Sequence, residues 1–247
     1  GDGLEIFLGW NYDIWMMKRQ AIGADWSSPV NLSSVVNTSA DEIWPTILSD
    51  GLELYFSGAR SGSAYVRTGG QGDSDLWVTK RTTKNDPWGT PVNLGAVVNS
   101  SSQDARPHLS PDGLTLLFDS QRSGGCGSGD LYVTRRATRS SPWGTPVNLG
   151  PTVNSSFFDE AVIMSPDGTA ICWDNARPGG YGSNDIWQAS LTPIVDFNGD
   201  GKIDSGDMAT LIRNWGLSTS LCDIGPFAWG DGIVDEKDLV QCPVKCA

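Results

Sequence analysis

The sequence predicts a mainly β fold over residues 1–192 and a small α-helical domain over residues 193–247. Three observations lead to this division. A phrase that opens with Trp and closes with Val-Asn recurs at Trp26, Trp88 and Trp143. Each copy is followed by short apolar runs between Gly-rich turns, which is the pattern of strands in a repeated sheet. From Asp196 onward this pattern stops, and closely spaced acidic residues replace it.

Each copy of the phrase leads into the same landmarks. An acidic residue comes first, then a Ser before an Asp-Gly turn, a short strand, an Arg, a Gly-rich loop and an Asp-aliphatic-aromatic triplet. The acidic residues are Glu42, Asp104 and Asp159, and the arginines are Arg60, Arg122 and Arg177. The triplets begin at Asp13, Asp75, Asp130 and Asp185. Four copies are therefore expected.

A unit with four short strands and regular Gly and aromatic positions is typical of a blade in a β-propeller. In the third blade we expect an inner strand near residues 108–110, a second strand over 114–119, a third over 131–135 and an outer strand over 146–149. By the same count, the first blade has no inner strand and the fourth has no outer strand. Either part of a larger propeller or a small ring closed in an unusual way fits this count.

The repeat also resembles that of a known family. Ser-Pro-Asp-Gly from Ser110, the apolar strand that contains Phe118, Arg122 and the triplet at Asp130 are similar to the WD40-like propeller repeat of TolB. The resemblance covers residues 1–192. It implies a TolB-like ring of antiparallel sheets that presents loops.

The acidic segment at 196–207 has the spacing of a calcium-binding loop. Side-chain oxygens fall at positions 1, 3, 5, 9 and 12 of the loop, and Gly201 at position 6 stands where the chain must turn sharply. Lys202 would contribute its backbone carbonyl. The expected ligands are Asp196, Asn198, Asp200, Lys202, Asp204 and Asp207. Converging oxygens of this kind are the ligands that Ca²⁺ prefers.

A second segment repeats this loop closer to the end of the chain. Its expected ligands are Asp223, Asp231, the carbonyl of Ile233, Asp235 and Asp238. Extra residues separate Asp223 from Asp231, so this loop departs from the first at its start. Between the loops, apolar residues recur with helical spacing from Met208 to Trp215, and Gly216 would end that helix.

Two tandem loops that end in Asp, where a standard EF-hand has the longer Glu, resemble dockerin modules. The resemblance implies a calcium-folded module that attaches the protein to a cohesin-like or cell-surface partner. The alternative is that the calcium loops only fold the tail.

The cysteines favour a location outside the cytoplasm. Cys222, Cys242 and Cys246 flank the second calcium loop, and a disulfide from Cys222 to either of the other two would staple this small module. Cys172 is expected to be buried in a strand, and Cys126 lies in a Gly-rich loop. We therefore expect a secreted, cell-surface or periplasmic protein.

The net charge of −12 argues against binding to nucleic acid or to an anionic membrane. The chain has no apolar run long enough to cross a bilayer, so membrane insertion is not expected.

Catalytic residues are not evident in the sequence. His108 is the only histidine, and it aligns with the apolar Ile47 and Ile163 of the sister blades, which favours a packed His. The aspartates of the turns (Asp50, Asp112, Asp167) and of the triplets recur in each blade and favour a structural role. The repeated arginines are expected to brace loops against the neighbouring blade.

Loops that break the repeat are the better candidates for binding. These are the long loop over residues 61–74 and the loops around Cys126 and Tyr181. We therefore expect a noncatalytic binding or scaffold protein that binds a protein or a glycan through the propeller, with calcium as its only cofactor. The alternative is an extracellular carbohydrate-active enzyme, a glycoside hydrolase or lyase that carries a dockerin. An isolated pair of carboxylates that breaks the repeat would favour the enzyme, and the sequence does not reveal one.

Overall fold

The computed structural model describes residues 2–58, 67–166, 168–191 and 205–217, and these residues form four antiparallel sheets. The first sheet contains β1 (Glu5–Trp10), β2 (Asp13–Lys18) and β3 (Val30–Asn31). The second contains β4 (Glu42–Ile47), β5 (Glu53–Gly58), β6 (Asp75–Lys80) and β7 (Val92–Asn93). The third contains β8 (Asp104–Leu109), β9 (Thr115–Ser120), β10 (Asp130–Arg135) and β11 (Val147–Asn148). The fourth contains β12 (Asp159–Met164), β13 (Ala170–Asn175) and β14 (Asp185–Ser190).

We call these sheets blades one to four. Within each blade the strands lie side by side in chain order. Helix α1 (Ser33–Val36) follows the outer strand of blade one, and helix α2 (Ser205–Arg213) lies in the C-terminal segment. The prediction of a mainly β chain with four-stranded antiparallel sheets is confirmed. In the described residues blade one has no inner strand and blade four has no outer strand, as the repeat predicted.

The inner strand of blade three is longer than the sequence predicted. It begins at Asp104 and ends at Leu109, so Ser110 lies in the following turn. The acidic residue of the repeat therefore opens the inner strand instead of preceding it. The Asp104 side chain is fully buried, and this is possible because Arg122 neutralises its charge.

Arg122 and Arg177 brace the inner strands, as expected from their recurrence. Arg122 donates to the Val98 carbonyl and to Asp104 Oδ1, both at 2.6 Å. Its guanidinium lies 4.8 Å from the centre of the Tyr132 ring. Arg177 makes the equivalent contacts in blade four. Because Val98 belongs to the preceding blade, this Arg links two blades.

In blade two a different Arg takes this position. The sequence predicted Arg60, which lies outside the described residues. Arg67 instead donates to the Val36 carbonyl and to Glu42 Oε1, both at 2.7 Å. The longer loop of blade two moves the Arg along the chain relative to its counterparts.

Two Asn residues in each repeat explain the recurring phrase. Asn99 Oδ1 accepts a hydrogen bond from Leu76 N at 2.9 Å, and Asn99 Nδ2 donates to the Leu76 carbonyl and to Asn93 Oδ1. Asn37 and Asn154 make the same three bonds in blades one and three. A buried amide that loses these partners costs free energy, so the phrase is a structural requirement of each blade.

The aspartates of the repeat also have structural roles. Asp130 accepts hydrogen bonds from Cys126 N, Gly127 N and an Asn side chain, which holds the Gly-rich loop. Asp50 and Asp112 each accept a bond from the backbone N–H two residues ahead, as expected for Asp in a turn. Asp167 lies outside the described residues.

Neighbouring blades pack face to face through three apolar clusters. At the interface of blades two and three, Tyr55 meets Trp143 edge to face, with 6.2 Å between ring centroids. Phe7 and Trp88 repeat this contact between blades one and two at 5.7 Å. Trp88 and Trp143, which open the second and third copies of the recurring phrase, therefore each receive an aromatic side chain from the preceding blade.

The C-terminal helix is present where the sequence predicted it. Leu211 is buried, Ile212 and Trp215 are exposed, and Gly216 follows the helix with a φ of +79°. Asp207 lies on α2, with its side chain outside the described part. The other expected calcium ligands lie outside the described residues: Asp196, Asn198, Asp200, Lys202, Asp204, Asp223, Asp231, Ile233, Asp235 and Asp238.

The expected disulfide also falls outside the described residues, because Cys222, Cys242 and Cys246 all do. Cys126 and Cys172 are free thiols. Cys172 is half-buried and not fully buried as predicted, since it lies on a face of blade four that no other blade covers among the described residues. Among the described helices, none is long and apolar enough to cross a membrane.

Candidate ligand site on the inner strands

The inner strands of blades two, three and four share a β-bulge. The pairing register with the second strand shifts between Ile43 and Thr46 in β4, and at the equivalent places in β8 and β12. Trp44, Arg106 and Ala161 occupy the bulge with φ values of 52°, 51° and 55°. Bulges turn a side chain away from the ladder, and a bulky residue with positive φ is strained. Such strain is concentrated at functional sites in proteins.

These three bulges meet around one depression. It has a volume of about 240 Å³ and is lined by Trp44, Pro45, Thr46, Arg106, Pro107, His108, Ala161, Val162 and Ile163. The guanidinium of Arg106 lies 4.1 Å from the centre of the Trp44 ring. This stack fixes both side chains at the wall of the depression.

Arg106 holds two carboxylates from different blades. Its guanidinium pairs with Asp119 Oδ2 at 3.0 Å and with Glu160 on the inner strand of blade four. Asp119 is fully buried, whereas Arg106 and Glu160 each keep about a fifth of their side chain exposed (19% and 21%). Asp119 Oδ1 also accepts a bond from Ala161 N at 3.4 Å. One cation therefore faces two acids.

Burial changes the protonation of these acids. It raises the pKa of Asp119 to about 7, although Arg106 and the Ala161 N–H act in the opposite direction. Burial also raises the pKa of Glu160, Arg106 lowers it, and the neighbouring Asp174 raises it further. An acid with a pKa near neutrality beside a second, more exposed acid is an arrangement that supports proton transfer.

His108 lies at the edge of the same depression. Burial lowers its pKa to about 4, and its hydrogen bond to the Met164 backbone raises it only in part. The imidazole is therefore neutral at pH 7. The expectation of a packed His is met only in part, because His108 is half-buried and its ring lines the depression.

The sequence alignment of His108 was wrong by one position in blade two. His108 pairs with Leu117 across the ladder, and the residue in the same position of blade two is Thr46, which pairs with Tyr55. The sequence had placed Ile47 there. The turn of blade two has Leu48 where blade three has Ser110, and counting back from the nearest Ser introduced the shift.

Four residues of the site were not found from the sequence: Trp44, Arg106, Asp119 and Glu160. Their signal lies in where the repeat fails. The bulge position holds Trp, Arg or Ala in blades of otherwise similar sequence, and the position before it holds Ile43, Ala105 or Glu160. Glu160 therefore departs from the repeat, whereas Asp119 has a counterpart in Asp174 of blade four.

Of the loops favoured by the sequence, none of the described residues lines this depression. Cys126 and Tyr181 are exposed, and each donates its backbone N–H to the triplet Asp of its own loop. In the long blade-two loop, residues 61–66 lie outside the described part, and Asp73 is exposed. Within the described ranges, no group of three or more His, Cys, Asp or Glu side chains is arranged to hold a metal ion.

Solved propeller structures resemble this arrangement. TolB from Acinetobacter baumannii is 16% identical, and the match covers 82% of this chain and 41% of the TolB chain with a TM-score of 0.50. An α-L-arabinofuranosidase from Lactobacillus brevis is 9% identical, covering 76% of this chain and 63% of its own, with a TM-score of 0.49. A xylan β-1,4-xylosidase from Bacillus halodurans C-125 is 15% identical, covering 78% and 39%, with a TM-score of 0.46.

The similarity to TolB concerns the fold, namely antiparallel sheets arranged as propeller blades. This chain spans less than half of the TolB chain that it matches. No protein-family model and no curated protein matches the sequence.

Proposed function

We propose that this protein is a secreted, noncatalytic binding protein whose inner-strand depression binds an uncharged glycan. The observation that carries the proposal is the bulge shared by three blades. Its backbone geometry is the same in each blade, whereas its side chain is Trp44, Arg106 or Ala161. The fold alone does not require three different residues at equivalent positions, so a ligand is the better explanation of the variation.

The chemistry of the depression suits a sugar ring. Trp44, two prolines and Ile163 offer an apolar wall on which the C–H face of a pyranose packs. Arg106 and the exposed part of Glu160 offer a donor and an acceptor for hydroxyl groups beside that wall.

The charges favour an uncharged ligand. Arg106 is already paired with Asp119 and Glu160, so its charge is neutralised inside the site. An anionic sugar would meet two carboxyl groups for each guanidinium, and the net charge of −12 would repel it at longer range. We therefore expect weak or no binding of uronates.

The tail has a separate role in this proposal. Asp196, Asn198, Asp200, Lys202, Asp204 and Asp207 would hold one Ca²⁺, and the loop from Asp223 to Asp238 would hold a second. The folded module would attach the protein to a cohesin-like or cell-surface partner. The spacing of these oxygens in the sequence supports this part of the proposal.

The test is calorimetric titration with soluble xylo-, cello-, manno- and arabino-oligosaccharides, with oligogalacturonate as the anionic comparison. At least one neutral series should bind, and Trp44→Ala should weaken it about tenfold, a loss of about 1.4 kcal/mol. The exposed Trp10, which lies outside the depression, provides the control variant Trp10→Ala. Binding that is unchanged in Trp44→Ala, or stronger for oligogalacturonate, would contradict the proposal.

A glycoside hydrolase is the second candidate, and the pair Asp119–Glu160 favours it. A retaining or inverting hydrolase uses two carboxyl groups, one of them with a raised pKa. Asp119 is fully buried, however, and has no open path to a substrate. Release of reducing sugar by the wild type, abolished in Glu160→Gln, would favour the enzyme over the binding protein.

A further inference from the structure

His108, the only histidine of the chain, lies at the wall of the depression. It follows Arg106 by two residues on β8, so the two side chains project from the same face of the strand. The burial along β8 shows this alternation, because Arg106 and His108 are half-buried whereas Pro107 and Leu109 are buried. The imidazole therefore stands beside the guanidinium at the surface that a ligand would contact.

The neighbouring inner strands place different side chains at the same level of the depression. Thr46 on β4 and Ile163 on β12 occupy the ladder register of His108, and all three line the depression. The wall therefore has a hydroxyl on blade two, an imidazole on blade three and an apolar side chain on blade four. Blades two and three form its polar side at this level.

The fold already uses one ring nitrogen of His108. Its N–H donates to the backbone carbonyl of Met164 on β12. Burial lowers the pKa of the imidazole to about 4, so the ring is neutral at pH 7. A neutral imidazole has one nitrogen that donates and one that accepts a hydrogen bond. The bond to Met164 therefore leaves the second ring nitrogen of His108 as an acceptor.

An acceptor at this place suits a sugar hydroxyl. The hydroxyl group donates one hydrogen bond, and the imidazole is already held by β8 and by its bond to Met164. A side chain that is fixed before the ligand arrives loses little conformational freedom on binding. Arg106 beside it supplies the donors, so the two residues together distinguish the hydrogen-bonding direction of neighbouring groups on a ligand.

We propose that His108 determines the specificity of the depression, because its second ring nitrogen accepts a hydrogen bond from one hydroxyl of a neutral sugar ring packed on Trp44. This role rests on the glycan-binding function proposed above. The depression, of about 240 Å³, is smaller than the pockets of about 300–1,000 Å³ that hold drug-sized ligands, so it suits a single ring of the glycan. The site would accept a sugar with a free hydroxyl facing His108 and reject its deoxy and O-methyl forms.

Because the chain has a single histidine, protein labelled with ¹⁵N at histidine alone and prepared without a tag reports on this one ring by NMR. At pH 7 the free protein should show one protonated and one unprotonated ring nitrogen. The methyl glycosides of xylose, glucose, mannose and arabinose are then titrated in. The unprotonated nitrogen should shift upfield with at least one of them, as expected for a nitrogen that accepts a hydrogen bond. A cationic ring at pH 7, or an unprotonated nitrogen that does not respond to a saturating sugar, would overturn the proposal.

Substitutions of His108 test the same bond through affinity. His108→Phe keeps a ring and removes the acceptor, so it should weaken binding of the best methyl glycoside about three- to tenfold. His108→Gln keeps an acceptor and should lose less. Trp10→Ala, outside the depression, is the control and should bind like the wild type. Thermal unfolding of each variant checks that it is folded.

Sugar analogues identify the hydroxyl that His108 binds. Each hydroxyl of the best methyl glycoside is replaced in turn by hydrogen or by O-methyl, and affinities are measured for the wild type and His108→Phe. One position should matter to the wild type and lose its importance in His108→Phe, because the partner of that hydroxyl is gone. Equal losses in both proteins at every position would contradict the role of His108.

The outcomes separate this role from the proposed function. Absence of binding by every neutral methyl glycoside and oligosaccharide would refute glycan binding and the role of His108 together. Binding that depends on Trp44 but is equally tight in His108→Phe would refute the role of His108 alone.

Discussion

Replacing Glu53 with Gln should show how much the buried ion pair between blades two and three contributes to the stability of the fold. Glu53 Oε2 accepts a bond from Arg136 Nη2 of the next blade at 3.1 Å, and the two side chains are only 6% and 3% exposed. Arg136 also stacks on Trp143, with its guanidinium 4.4 Å from the ring centre. Gln has nearly the shape of Glu, so the substitution removes the charge and leaves no cavity.

The expected cost is large because Arg136 keeps its charge inside the interface. Breaking one partner of a buried ion pair typically costs about 3–5 kcal/mol. For a domain of this size that corresponds to a fall in melting temperature of about 6–20 °C. Urea unfolding followed by tryptophan fluorescence measures the change. The control Asp2→Asn removes the exposed pair with Lys84, whose side chains are 44% and 35% exposed, and should leave the midpoint almost unchanged.

The pH dependence gives a second reading of the same pair. Burial raises the pKa of Glu53, but the charges of Arg136 and Lys80 and their hydrogen bonds outweigh burial, so the net pKa lies below its usual value of 4.5. A lowered folded pKa adds stability above pH 4.5 that is lost as the pH falls through the folded value. The difference between wild type and Glu53→Gln should therefore shrink below pH 4.5. A loss under 1 kcal/mol at pH 7, or a difference that does not depend on pH, would refute this reasoning.

Three further predictions follow from named contacts. Gly127→Ala should lower the free energy of unfolding in urea by about 1–3 kcal/mol, because its Cβ would press on the Phe157 and Ser155 carbonyls of the next blade. Gly182→Ala, at the equivalent open position of blade four, is the control and should be neutral. Equal effects of the two substitutions would contradict the packing. In the folded protein the pKa of Asp119 is raised from 3.8 to about 7, so the wild type should lose stability as the pH rises between these values. Urea unfolding at pH 5 and pH 8 should show this loss for the wild type and not for Asp119→Asn. Calorimetry of the whole chain should show Ca²⁺ binding that Asp200→Ala weakens and that Mg²⁺ does not reproduce, because Mg²⁺ demands tighter octahedral geometry; no heat with Ca²⁺ would show that the tail spacing is misleading.

The repeat made the fold predictable from the sequence. Each blade needs one residue of each structural type: an Asn such as Asn99, an Arg such as Arg122 and a triplet Asp. The same residue types therefore recur at the same positions in successive repeats of the sequence. Repetition separates such residues from those needed once. For the same reason, the structural role of the repeated aspartates could be predicted without coordinates.

The inner-strand site was not predictable in the same way. Arg106 meets Asp119 on its own blade and Glu160 on the next one, so the cluster exists only once the blades are stacked. The β-bulge adds a residue whose direction cannot be read from the alternation of a regular strand. Leu48 at the position of Ser110 also shifted the alignment of blade two, which hid the equivalence of Trp44 and Arg106.

The most direct test of the account is to measure binding and turnover of one neutral oligosaccharide on the same protein sample. The best ligand from the titration series would be incubated with the wild type, Trp44→Ala and Glu160→Gln, and its chain length analysed by chromatography after the dissociation constant is measured. The account predicts an oligosaccharide that binds at the depression and is recovered intact from every sample. Its affinity should be lower for Trp44→Ala than for the wild type. Shortened products from the wild type that disappear in Glu160→Gln would contradict it, as would a ligand whose affinity does not depend on Trp44.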